Sequence, residues 1–66
     1  MTKQNHLTPA SIGRLSLASH YWAMAMKQTC KESADSYYDK AYAILNQEIG
    51  SDNAITCELR KEMAAR

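Results

Sequence analysis

Residues 8–31 read TPASIGRLSLASHYWAMAMKQTCK, and their spacing decides the fold class. Thr8 followed by Pro9 is a helix start. A hydroxyl stands at the N-cap, and the proline takes a position whose N–H has no partner inside the helix. At about 100° per residue, Ile12, Leu15, Ala18, Trp22, Ala23 and Met26 share one broad face. Leu17, Tyr21 and Met24 share a second, beyond a polar strip of Ser16, His20, Lys27 and Lys31. The pattern predicts a helix over about residues 9–31 that is apolar on two sides and needs two things to pack against.

Within that helix, Ser11, Ala18 and Ala25 recur every seven residues, a mark of close helix contact. Gly13 weakens the helix by up to about 1 kcal/mol relative to Ala and is read as a second point of close backbone approach. Leu7, just before the cap, is placed to pack on Ile12 as a hydrophobic staple. Residues 1–7 otherwise read as a loose arm.

The second helix is expected over about residues 35–49, with Ser33 to Asp35 as its cap and Asp35 and Asp39 in its first turn. Tyr37, Tyr38, Ala41, Tyr42, Ile44, Leu45 and Ile49 cover one arc, interrupted only by Glu48. Gly50 is the natural stop, free to take positive φ. Ser51, Asp52 and Asn53 offer the cap of a third helix, about 53–65, whose stripe is narrow: Ile55, Leu59 and Met63. No strand or hairpin signal occurs. The expected fold is all-α, a single domain over residues 1–66. It has two long antiparallel helices as a helical hairpin and a shorter C-terminal helix, assembled as an oligomeric helical bundle.

Size supports the oligomer. A chain of 66 residues buries only about 60% of the surface its unfolded form exposes, and such chains usually rely on disulfides, a metal, close helix packing or a partner. The apolar fraction of 45% is too high for a disordered chain. Eight Lys and Arg against seven Asp and Glu leave a formal charge of +1, no footprint for nucleic acid or an anionic membrane. Residues 1–6 are polar, with no visible apolar signal-peptide core, and no apolar run of about 20 residues occurs, so a cytoplasmic protein with reduced thiols is expected. Cys30 is read as a small buried thiol at the edge of the first helix's main face. Cys57 lies away from its helix's stripe and is read as exposed.

Chemistry-bearing patterns are sparse. His6 and His20 are the only histidines, and no set of ligands converges with metal spacing. No serine lies in a Gly-x-Ser-x-Gly elbow. No catalytic, cofactor, metal or small-molecule site is expected. Glu48 projects near the apolar arc and calls for a partner, a tyrosine hydroxyl or a basic group from another helix.

The aromatic residues carry the strongest functional hint. Trp22, Tyr21, Tyr37, Tyr38 and Tyr42 are all of them, and all fall on the first two helices. Tyr, Trp and Met are enriched at protein interfaces. Trp22, Met26, Tyr37, Tyr38 and Tyr42 are read as core residues or partner anchors, and Leu17, Tyr21 and Met24 as an oligomer interface. Two other patterns fit part of the chain. Leu45 to Leu59, followed by Arg60 and Lys61, has partial helix-turn-helix spacing, so a DNA-binding protein using residues about 45–62 is the runner-up. Glu58 and Glu62 would meet phosphate badly, however. Ala34, Tyr38 and Ala41 match part of a tetratricopeptide repeat, but only one copy is present.

Short, helical, near neutral and without a chemical site, the chain resembles small accessory proteins of temperate phages and mobile elements. The resemblance implies an antirepressor or similar inhibitor. It would work by holding a protein target, a repressor or other regulator. The two-sided first helix adds the expectation of a dimer or tetramer, and the charge balance and hydropathy speak against a nucleic acid or membrane partner.

Overall fold

The computed structural model describes residues 8–65, which form three α-helices and no strands. These are α1 (Pro9–Lys27), α2 (Lys31–Ile49) and α3 (Ala54–Ala64). The two long helices form an antiparallel hairpin, and α3 folds back along α2. The loose arm, the Leu7 staple and His6 lie outside the described residues.

Local chemistry sets most of the ends. Thr8 is the N-cap of α1, its Oγ1 accepting from the Ser11 N–H at 3.1 Å, with Pro9 in the first turn. Gly50 closes α2 with φ 86°, where any side chain would be strained. Asn53 caps α3, its Oδ1 accepting from the Ile55 N–H at 2.9 Å.

The first turn departs from expectation. α1 ends at Lys27, and α2 begins at Lys31 rather than near Asp35. Gln28 is extended, with its N–H on the Ala25 carbonyl and its side-chain Nε2 on the Met24 carbonyl at 3.1 Å. The unused cap residue Asp35 sits inside α2 and pairs with Lys31 at 2.8 Å. Cys30 is the N-cap of α2 and is exposed, which overturns its reading as a buried thiol.

Packing explains this early turn. The fully buried alanines are Ala18 and Ala25 on α1 and Ala34 and Ala41 on α2. Both pairs have the same seven-residue spacing, and they lie symmetrically about the turn, Ala25 and Ala34 nearer to it, Ala18 and Ala41 further away. A turn at residues 28–30 sets the two pairs level in the antiparallel hairpin. A turn four residues later would put Ala25 against Tyr42, Ala18 against Ile49 and Ala41 against Met26, with Ala34 inside the turn itself. Small residues at a helix contact allow the lower end of the usual separation of about 8–10 Å. The seven-residue recurrence marked the contact for Ala18 and Ala25, while Ser11 is half-buried. Gly13 plays no such part, because a Cβ there would meet nothing within 4 Å.

The same geometry corrects the picture of two separate apolar faces on α1. They are one arc, joined through Ala18 and Ala25, and the middle of that arc packs on α2. What stays outside are its edges: Leu17 on one side (43% exposed) and Ile12 and Met26 on the other (53% and 64%). Met26 is therefore not a core residue.

Around the alanines, Tyr38 and Leu45 are buried, and Leu15, Trp22, Tyr37 and Tyr42 pack against them, half-buried. Helix α3 docks through Thr56 and Leu59, both fully buried, with Met63 beside them. Ile55, expected on this stripe, is 53% exposed. The Thr56 hydroxyl has no hydrogen-bond partner, a burial that costs about 1–3 kcal/mol.

The alanine seam makes a direct test. Ala41→Leu is expected to destabilise the protein by about 1–3 kcal/mol by forcing the helices apart. Ala23→Leu, on the exposed side of the same hairpin, should change stability by no more than about 0.5 kcal/mol. Urea denaturation followed by far-UV circular dichroism compares them, and equal effects would refute the close-contact assignment.

Candidate functional site

Two surfaces flank the α1–α2 seam, and they differ in chemistry. On one edge, Tyr21 of α1 and Tyr37 of α2 meet with ring centroids 6.1 Å apart. Lys40 Nζ lies 5.6 Å from the centre of each ring, in cation–π range of both. His20 stands 6.2 Å from Tyr21, ring to ring. Further along this edge, Arg14 Nη1 lies 3.3 Å from Glu48 Oε2. The glutamate side chain is only 9% exposed and the arginine 54%. Glu48 thus finds the basic partner from another helix that its place near the apolar arc required.

Sequence spacing groups Leu17, Tyr21 and Met24 as an interface. Here Tyr21 and Met24 are half-buried, Tyr21 is already engaged by Tyr37 and Lys40, and Leu17 is the exposed member. The larger exposed apolar groups lie on the opposite edge.

That opposite edge is a groove of about 460 Å³. Its walls are Leu15, Ser19 and Trp22 of α1 on one side and Asn53 and Ile55 at the start of α3 on the other, with Leu45 and Ile49 of α2 as its floor. Exposed Ile12 and Met26 extend the α1 side. Among the described residues no titratable side chain lines it, and the groove offers shape and apolar surface with two polar groups, Ser19 and Asn53.

One carboxylate holds the groove's geometry. Glu62 Oε1 accepts from Trp22 Nε1 at 3.0 Å and from the Tyr38 hydroxyl at 3.3 Å. A side chain on α3 therefore ties together α1 and α2, and Trp22 is anchored by its polar edge while its ring lines the groove. Trp22 and Tyr38 thus take structural positions that suit anchors, and Tyr37 and Tyr42 pack against the core. The role of Glu62 was not legible in the sequence, because it depends on how α3 docks. Ile12, Leu15 and Ser19 did leave a signal: with Trp22 and Met26 they recur at alternating steps of three and four.

Charge elsewhere is mixed. On α3, Lys61 lies 3.8 Å from Glu58, and Arg60 donates to the Cys57 sulfur at 3.5 Å. This is no concentrated basic face. Among the described residues, no group of three His, Cys, Asp or Glu could hold a metal ion, and no helix is long and apolar enough to cross a membrane.

The two thiols differ. Backbone N–H groups at the start of α2, Ser33 foremost and then Glu32, lower the pKa of the exposed Cys30 below the ordinary thiol value. Cys57 is half-buried and directs its sulfur to the Ser51 carbonyl at 3.6 Å.

Comparison with known protein families, curated proteins and solved structures finds no match to this chain.

Two outcomes are expected. Glu62→Ala should cost about 1–3 kcal/mol by stripping Trp22 and Tyr38 of their acceptor, with Glu62→Gln retaining much of it. An unchanged urea midpoint in Glu62→Ala would refute the tether. At neutral pH, iodoacetamide should modify Cys30 before Cys57, with a rate that falls as pH is lowered. Mass spectrometry of partly labelled protein reads the order, and faster labelling of Cys57 would contradict it.

Proposed function

We propose that this chain is a non-enzymatic protein–protein interaction module, a regulator or inhibitor that acts by holding another protein. The observation that carries the reading is the apolar groove between α1 and α3. Its floor and walls are formed by Leu15, Trp22, Leu45, Ile49 and Ile55, no titratable side chain among the described residues lines it, and Ile12 and Met26 stand exposed beside it.

An apolar channel bounded by two helices accepts a third as ridges fit into grooves. Trp22 is held by Glu62 and does not have to be ordered on binding, which lowers the entropic cost of association. Buried aromatic anchors of this kind carry much of the energy of an interface. A role of the antirepressor type fits this economy: the chain alters another protein's activity by occupying its surface. The Tyr21–Tyr37–Lys40 edge supplies a second, more polar face suited to a transient contact.

Ile55 separates binding from folding, because it lies on the groove wall and is largely exposed. Immobilised wild-type protein and Ile55→Glu protein, matched in circular dichroism, are exposed to extract of the source cells. The expected result is a protein retained by the wild type and reduced about tenfold or more on the variant, as the loss of about 1.4 kcal/mol or more would give. Equal retention, or none by either, would count against the groove as the working surface.

A further inference from the structure

The α1 wall of the groove has the spacing of a helix-pairing seam. Ile12, Leu15, Ser19, Trp22 and Met26 alternate steps of three and four residues, the pattern by which helices pair in a left-handed coiled coil. Ile12, Ser19 and Met26 on this line are exposed, and it lies on the far flank of α1 from Tyr21.

We infer that the groove receives α1 of a second copy of this chain, parallel to the first, about a two-fold axis running along the helices. The inference rests on reading the groove as helix-binding and gives it to a second copy, which leaves the Tyr21–Tyr37–Lys40 edge to meet the target protein.

Three features favour a second copy. The first is self-complementarity: the seam is both the wall of the groove and the ridge that fills it, as an isologous contact demands. Ser19, the small residue at its middle, lets the two helices approach.

The second is charge. On α3, Glu58 is exposed three residues beyond the groove-wall Ile55, 3.8 Å from Lys61, while Glu62 is turned inward to Trp22 and Tyr38. Helix α1 contains no acidic residue, and its polar strip, beside the seam, carries His20 and Lys27. A second α1 in the groove turns this strip towards Glu58.

The third is area. The 19 residues of α1 span about 28 Å, and two helix diameters make a strip roughly 20 Å wide. Both copies together then bury on the order of 1,100 Å², near the lower end for specific pairs. A micromolar dimer is the matching strength.

Topology selects the parallel arrangement. Helix α3 stands to one side of α1, as the Trp22–Glu62 bond shows. A two-fold axis that pairs the helices antiparallel keeps both copies of α3 on the same side of the paired α1 helices, where they collide with each other or with α2. An axis along the helices carries the second α3 to the opposite side. Each α1 then lies between α1 and α3 of the other copy.

Sedimentation equilibrium of the full chain over about 1–100 μM is expected to show a reversible dimer. Ser19→Arg, at an exposed position, should raise the dissociation constant at least about tenfold while leaving the helical circular dichroism intact. His20→Glu should weaken the dimer in the same direction by setting a negative charge against α3. Orientation is read by single cysteines introduced into a Cys30→Ser, Cys57→Ser background. Ile12→Cys and Met26→Cys should each form a disulfide-linked dimer on mild oxidation, because parallel pairing sets each residue against itself. Ser36→Cys, on the exposed side of α2, should not.

Cross-linking through Ser19→Cys but neither Ile12→Cys nor Met26→Cys would mean antiparallel pairing and overturn the inference. So would a dimer indifferent to Ser19→Arg. A monomer at every concentration whose Ile55→Glu variant loses a captured protein overturns this occupant and leaves the groove reading standing. A monomer with no Ile55-dependent partner removes both.

Discussion

The fold depends on how closely α1 and α2 approach, and four alanines decide that. Ala18, Ala25, Ala34 and Ala41 are fully buried, and each fills the contact with no more than a methyl group. They bring two backbones near enough for the residues on either side to close over the seam: Tyr21 and Tyr37 along one edge, Trp22, Tyr38 and Leu45 along the other. The turn at residues 28–30 follows from the same constraint, since it sets both alanine pairs level. Local capping signals at Ser33 and Asp35 gave way to it. Packing summed along nineteen-residue helices outweighs the roughly 1 kcal/mol that a single cap contributes.

Close packing on one side has a consequence on the other. Helix α3 is shorter than its neighbours and attaches mainly to α2, through Thr56 and Leu59. Its tie to α1 is the hydrogen bond from Trp22 to Glu62. The space between α1 and α3 therefore stays open. A three-helix arrangement closes its core when the third helix fills the valley between the first two. Here the valley keeps apolar walls, and Ile12, Met26 and Ile55 stand at its margins. Surface of this kind is where helical proteins meet partners.

Parts of the candidate site were legible before the fold was known. The surplus of apolar surface on α1 followed from its periodicity, as did the need of Glu48 for a basic partner. The aromatic residues of α1 and α2 drew attention for good physical reasons. Which apolar flank remains uncovered was not legible. Helical wheels weight large side chains, so the alanines in the middle of the arc looked like a gap between two stripes. The arc was split where it was in fact most deeply buried. Cys30 was misplaced for a related reason: the residue that ends a helix is set by the partner helix as much as by its own neighbours.

By itself, then, the order of residues determined the helices, most of their caps and the Gly50 break, because these are contacts within a few positions of the chain. It also determined that α1 would carry more apolar surface than a single neighbour covers. Only the tertiary structure decided where the first turn falls, that Glu62 holds Trp22 and Tyr38, and which side of α1 opens onto the groove. Each depends on the register between helices, and register is an energy difference among alternative pairings of distant residues, which no local pattern encodes.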